Sequence, residues 1–139
     1  MIVLDTNVVS ETMRPRPATA VLAWLDRQQT DQLWLTAVNV AELMFGVARL
    51  PQGARQLQLA DAIAAMLDED FAGRVLSFDA DAAAAYAELA TGRERAGRPI
   101  AMADAQIAAI CLHHGATLAT RNAKDFDGLG LSLVNPWDE

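Results

Sequence analysis

The sequence predicts an α/β fold: one domain over residues 1–139, with a central parallel sheet of four to five strands flanked by helices on both faces. Two observations carry this. Short continuous apolar runs alternate with longer stretches of helical periodicity, the order expected of strand–helix–strand units. The apolar runs lack polar alternation, which is how strands buried on both faces read. With 53% apolar and 21% charged residues in 139, the chain is long enough to bury a core without staples.

The predicted strands are Ile2-Val3-Leu4, Leu33-Trp34-Leu35-Thr36, Val75-Leu76-Ser77-Phe78 and Thr117-Leu118-Ala119-Thr120. A possible fifth, Leu131-Ser132-Leu133-Val134, is stopped by Pro136. Helical patterns lie between them. Residues 18–28 place Val21, Leu22 and Leu25 on one face. Residues 38–50 are apolar almost all round and stop before Pro51. Residues 54–67 carry Leu57, Ala60, Ile63, Ala64 and Leu67 at helical spacing. Residues 81–95 are alanine-rich, with Asp79 or Asp81 as the cap, and residues 101–114 end at Gly115, a natural C-terminal cap.

Composition excludes several classes. The single cysteine, Cys111, forms no internal disulfide and reads as a buried, inert thiol. No secretory pattern follows Met1 and no apolar segment is long enough to span a membrane, so a cytoplasmic protein is expected. The net charge of −7 argues against general nucleic-acid binding, which relies on basic surface. The adjacent His113 and His114 do not share a helix face and read as surface residues. No G-x-x-x-x-G-K-S/T stretch occurs, which excludes a P-loop nucleotidase.

Three acids stand where propensity would not put them. Asp5 follows the first buried strand, where ligands bind in open α/β sheets, although taken alone the plainer reading is that Asp5 or Asn7 caps the next helix or makes a turn. Glu42 is the only acid in an apolar helix and is expected to be the most buried of the three. Its burial demands a partner: a cation such as Arg49, or a metal. Asp104 interrupts a stripe formed by Ile100, Ile107, Ala108 and Cys111 near a helix start, where the helix dipole favours an acid of either structural or catalytic purpose. In a parallel sheet all three fall on one edge. Oxygen-only clusters suit hard cations such as Mg²⁺ or Mn²⁺ rather than zinc. An ion so held polarises a phosphoryl oxygen, acidifies water and stabilises the leaving oxygen of a phosphodiester.

The motifs carry a family resemblance. The opening Ile2-Val3-Leu4-Asp5-Thr6-Asn7-Val8-Val9-Ser10, then Val40-Ala41-Glu42-Leu43 with Gly46, then residues 100–109 around Asp104 resemble three ordered motifs of PIN-domain proteins. Thr120-Arg121-Asn122-Ala123-Lys124-Asp125-Phe126 with Asn135-Pro136-Trp137 resembles the fourth motif and the C-terminal end. The match is nearest to VapC toxins, particularly the FitB-like branch. The resemblance implies a Mg²⁺- or Mn²⁺-dependent endoribonuclease that leaves a 5′-phosphate and a 3′-hydroxyl. It implies a toxin held inactive by a VapB-type antitoxin, a homodimer, a structured RNA substrate, and operator DNA bound only through the antitoxin.

Carried over by position, Asp5, Glu42 and Asp104 match the acidic metal-site residues, and Thr6 and Thr120 the hydroxyls beside them. Asn122 stands where some relatives carry an acid, which weakens the case for a second tightly held ion; Asp125 is the alternative contributor, or else a structural turn. Candidate phosphate contacts are Arg14, Arg16, Arg93, Arg95, Arg98, Arg121 and Lys124, with Arg121 favoured because it adjoins the fourth motif. Two readings compete. One is a catalytically inactive PIN-like module that only binds a partner or assembles an operator complex. The other is a phosphoacceptor domain using Asp5, which lacks the neighbouring acid such a site needs.

Overall fold

The computed structural model describes residues 1–139. Five strands form one sheet: β1 (Ile2–Leu4), β2 (Leu33–Thr36), β3 (Val75–Leu76), β4 (Thr117–Ala119) and β5 (Ser132–Val134). Their spatial order is β3-β2-β1-β4-β5, and every pairing is parallel. The helices are α1 (Thr6–Thr12), α2 (Thr19–Asp26), α3 (Ala37–Ala48), α4 (Ala54–Ala65), α5 (Ala80–Arg95) and α6 (Met102–His114).

Residue alternation divides the core between the two sheet faces. Leu4, Leu33, Leu35 and Ala119 pack with Val8, Val9, Val21, Trp24, Leu43 and Ile63 of the first four helices. Val3, Leu76 and Leu118 pack on the opposite side with Ala82, Ile107, Ala108, Ile110 and Cys111 of α5 and α6. Helices α1 to α4 therefore cover one face and the α5–α6 pair the other, as the sequence predicts. Strand order then dictates where a ligand sits. The chain leaves β1 toward β2 on one side, while β4 lies on the other side of β1. The crevice outside the C-terminal ends of β1 and β4 is the switch point of the sheet.

Several boundaries differ from the sequence reading. Strand β3 stops at Leu76, because Phe78 turns away to pack edge-on against Tyr86 of α5, with ring centroids 5.9 Å apart. Helix α6 starts at Met102, so Ile100 lies outside it and Asp104 falls in its first turn. Helix α1 has only seven residues, too few to register as periodicity. Between the two proposed caps of α5, Asp79 serves: its Oδ1 accepts from the Ala82 N–H at 2.9 Å. Helix α3 is not buried all round. Asn39 and Leu43 are buried, whereas Met44 and Phe45 are half exposed. Apolar side chains on that outer face, rather than core packing, account for its hydrophobic sequence.

Helix α6 ends at Gly115, whose φ of 62° is the left-handed conformation that terminates a helix. A Cβ there is strained whatever the surrounding space. Gly115→Ala should lower stability by about 1 kcal/mol, read as a reduced chemical-denaturation midpoint at unchanged slope.

Candidate active site

The site begins with strand pairing. The Asp5 N–H donates to the Ala119 carbonyl at 2.9 Å, continuing the β1–β4 ladder one residue beyond β1. Asp5 then leaves the sheet as the N-terminal cap of α1. Asp5 is 5% exposed and each of its carboxylate oxygens accepts a short hydrogen bond: Oδ1 from the Thr6 N–H at 2.8 Å, and Oδ2 from the Thr120 hydroxyl at 2.8 Å. Thr120 follows β4, so one hydrogen bond joins the ends of the two strands that flank the switch point.

Glu42 arrives from α3, and the turn that starts this helix belongs to the same network. Thr36 ends β2 and caps α3: its hydroxyl accepts from the Asn39 N–H at 3.0 Å, and Asn39 Oδ1 accepts in return from the Thr36 N–H at 3.0 Å. Both residues are wholly buried. The amide left over, Asn39 Nδ2, donates to Thr6 Oγ1 at 3.2 Å and more weakly to Asp5 Oδ1 at 3.5 Å. The Thr6 hydroxyl donates to Glu42 Oε1 at 2.6 Å. A helix cap thus reaches two acids through one amide and one hydroxyl. Glu42 is half-buried and less enclosed than Asp5, contrary to the expectation that it is the most buried of the three. The expected Arg49 bridge does not form, since Arg49 lies 5.3 Å over the Phe45 ring.

Asp104 comes from the first turn of α6 and is half-buried. Burial, and then the negative charges of Asp5, Glu42 and Asp125, push its carboxyl up to about 6. Asp5 is also held above the ordinary carboxylate range. Burial is the main cause; the Thr120 and Thr6 hydrogen bonds oppose it, and Glu42 and Asp125 add to it. These acids feel one another because the fold brings them together. No cationic side chain forms an ion pair with them within 4.0 Å. The chain has two ion pairs, Arg14–Glu11 at 3.3 Å and His113–Asp81 at 3.8 Å, and neither involves the cluster. Glu11 shows the contrast: it is equally buried, but it is matched by Arg14 and by the Ala18 N–H at 2.9 Å. Oxygen donors gathered without a counter-charge are the donor set a hard divalent cation takes.

The fourth motif closes the site. Thr120 Oγ1 accepts from the Asn122 N–H at 3.1 Å and weakly from Asn7 Nδ2 at 3.5 Å, while Asn7 Oδ1 accepts from the Arg121 N–H at 3.3 Å. Asn122 is exposed, and its side chain caps nothing. Asp125 sits on the short 3₁₀ helix Ala123–Phe126 and acts on Asp5 and Asp104 through its charge. The Arg121 guanidinium lies 5.0 Å over the Trp137 ring. Asn39 has no role in the sequence reading, and Asn7 enters it only as an alternative to Asp5 for the helix cap, which Asp5 supplies. The T-x-x-N spacing of Thr36 and Asn39 directly after a strand is a capping signal that would have found the first; nothing local marks the second.

Two other groups of reactive side chains lie apart. Asp79, Asp81 and His113 are exposed and cluster where α5 begins and α6 ends, at the opposite end of α6 from Asp104. The Asp79 cap bond and the His113–Asp81 pair account for them. Cys111 is fully buried, and burial pushes its thiol up to about 12, which makes it inert.

Comparison with known proteins agrees with this architecture. The PIN domain family matches residues 2–130. VapC ribonuclease Y4jK of Sinorhizobium fredii is 44% identical over 99% of both chains, and toxin FitB of Neisseria gonorrhoeae is 41% identical over the full length of both. Among solved structures, FitAB bound to an IR36 DNA fragment superimposes with a TM-score of 0.93 at 41% identity, covering 99% of this chain and 96% of that one. No helix is long and apolar enough to cross a membrane. The chain belongs to the PIN-domain family, in the branch that holds the VapC and FitB toxins.

Proposed function

We propose that this protein is a Mg²⁺- or Mn²⁺-dependent endoribonuclease and the toxin of a VapBC-type pair, with Asp5, Glu42 and Asp104 as its catalytic and metal-holding residues. One observation carries the reading: carboxylates from the end of β1, from α3 and from α6 converge at the switch point, where burial and then neighbouring acids raise the proton affinity of Asp5 and Asp104, and none of the three has an ion-pair partner within 4.0 Å. When bound, a divalent ion polarises a phosphoryl oxygen and brings the acidity of water into the neutral range. The surrounding residues prepare the acids for it. Thr120 occupies one lone pair of Asp5 Oδ2 and Thr6 one lone pair of Glu42 Oε1, leaving the remaining lone pairs for the cation. Asn122 and Asp125 border the cluster; Asn122 offers a neutral carbonyl where some relatives place an acid. Arg121, resting on Trp137, is a contact for RNA phosphate.

The same reading includes partners. The solved relatives are FitAB and VapBC complexes, and some of these hold DNA. Met44 of α3 and Leu57 of α4, at 50% and 65% exposure, line one apolar groove with Val47, Ala60 and Ile63, and Phe45 of α3 is 54% exposed. Exposed apolar side chains in one patch are what a binding partner covers. We assign the chain a VapB-type antitoxin, a homodimeric state, a structured RNA substrate, contact with operator DNA only through the antitoxin, and a place in the cytoplasm. The binding-only alternative leaves the uncompensated acids without a purpose.

Expression under tight repression tests the reading. Wild type should arrest growth and leave discrete RNA fragments, and Asp5→Asn should do neither. Purified Asp104→Asn should cleave at least about a hundredfold more slowly with Mn²⁺ while staying folded. A folded wild type that leaves RNA intact with Mg²⁺ and Mn²⁺ overturns the proposal. Asn122→Asp restores an acid and should lower the Mn²⁺ concentration needed for half-maximal cleavage.

Stability gives an independent readout. Asp104 titrates near 6 when folded and near 4 when unfolded, so the folded state binds the proton more tightly. That preference stabilises the metal-free protein fully below about pH 4 and is lost as pH rises through about 6. Asp104→Asn should therefore raise the metal-free melting temperature at pH 7.5, with the gain shrinking toward pH 4. Saturating Mn²⁺ should stabilise wild type more than the variant. Equal shifts in both proteins would remove Asp104 from the metal site.

A further inference from the structure

We infer that a polar cleft beside Asp104 is a phosphate subsite, in which Arg98 and Lys124 hold a backbone phosphate of the RNA next to the scissile one; the inference rests on the nuclease reading above. The cleft has a volume of about 330 Å³ and lies between the α5–α6 connection and the 3₁₀ helix of the fourth motif. Arg93, Arg98 and Lys124 line it together with Asp104 and Asp125. It opens directly from the proposed catalytic cluster, because Asp104 belongs to both.

Arg93 builds the cleft. It is 8% exposed and has no carboxylate partner. Its Nη2 donates to the Asp125 carbonyl at 2.9 Å and the Asp127 carbonyl at 2.8 Å, and its Nη1 reaches the Arg98 carbonyl at 3.4 Å. One buried guanidinium therefore ties the wall that carries Arg98 to the wall that carries Lys124. Each wall is also stiffened from within. Gly97 turns the chain after α5 with a φ of 73°, Pro99 restricts the backbone of Arg98, and Phe126 anchors the 3₁₀ helix at 1% exposure.

The two remaining cations are uncommitted. Arg98 and Lys124 line the same cleft as Asp104 and Asp125, yet no side-chain nitrogen of either lies within 4.0 Å of a carboxylate. An ordinary acid–base pairing does not consume them. The cleft holds three cations against two carboxylates, a surplus of one positive charge, which matches the single negative charge of a phosphodiester. Arginine and lysine are the side chains that recognise phosphate. Arg14, by contrast, is taken up by its pair with Glu11.

Binding measured without catalysis tests this. Wild type, Arg98→Ala, Lys124→Ala, the double variant and Arg27→Ala are titrated with bulk bacterial tRNA in EDTA from 50 to 200 mM KCl, and cleavage of total RNA with Mn²⁺ is followed in parallel. Both substituted side chains are exposed, and unchanged melting temperatures confirm the fold. The double variant should bind at least about fivefold more weakly, with a salt slope smaller by about 0.7 to 0.9, the loss of one phosphate contact. Arg27→Ala, which removes one charge from the end of α2 as each single variant does from the cleft, should match wild type. A double variant with wild-type affinity and slope overturns the subsite even if cleavage is intact, and so does a wild type that binds no tRNA at 50 mM KCl. A wild type that binds through Arg98 and Lys124 but never cleaves overturns the nuclease reading and leaves the subsite standing.

Discussion

The parallel pairing of β1 with β4 is the constraint on which the site depends. It sets Asp5 opposite the end of β4, where the Thr120 hydroxyl meets Oδ2 and the Asp5 N–H meets the Ala119 carbonyl. Neither bond is available to an isolated segment, because Asp5 and Thr120 are 115 positions apart in the chain and Ala119 directly precedes Thr120. The register of Leu4 with Ala119 decides it. A slip of one residue would turn Leu118 and Ala119 to the wrong faces and withdraw Thr120 from Asp5. The buried cores on both faces oppose that slip, so hydrophobic packing some distance away holds the geometry of the acids.

The acids are held by neutral donors rather than by cations, and that choice has consequences. Thr6, Thr120, Asn39 and the Thr6 N–H orient the carboxylates without cancelling their charge. A lysine or arginine in their place would form the ion pairs that stabilise buried acids elsewhere in proteins, and would compete with a metal for the same lone pairs. Glu11 illustrates the structural solution and Asp5 the other. Burial first, and the neighbouring acids after it, raise the proton affinities of Asp5 and Asp104, and no ion pair offsets the rise. Stability is given up locally at a place where the rest of the fold is well packed, as functional sites commonly require.

How far this was legible in the sequence follows from the range of the forces involved. Strand runs and the α5 and α6 patterns report burial, which is a local property, so the sheet and its flanking helices are readable. Asp5 and Asp104 are readable because a strand end and a helix start are local events. Glu42 stands out through its apolar neighbours, but those neighbours do not report burial: Met44 and Phe45 face solvent, and periodicity cannot separate a buried helix from one with an uncovered apolar face. Helix α1 is too short to show a period, and the role of Asn7 depends on Thr120 and Arg121 more than 110 residues away. Arg93 is the clearest case. It sits in a run with Arg95 and Arg98 that reads as solvated charge, and only the return of residues 125–127 beneath α5 buries it.

The charge of the chain illustrates the same limit. A net charge of −7 speaks against RNA as a substrate when charge is treated as a uniform property. Field strength falls off within about 10 Å at 0.1 M salt, so a bound strand senses neighbours rather than totals. Near the site the neighbours are a carboxylate cluster that a cation would neutralise, a cleft with a positive surplus, and Arg121 on its aromatic support. Other acids, including Asp61, Asp68, Glu69 and Asp70, belong to α4 and the turn that follows it, on the opposite sheet face from α5 and α6. On the reading proposed above, an acidic protein of this kind binds nucleic acid productively only where a strand reaches metal, cleft and arginine together, and selectivity among RNAs then arises from geometry rather than from a general electrostatic attraction.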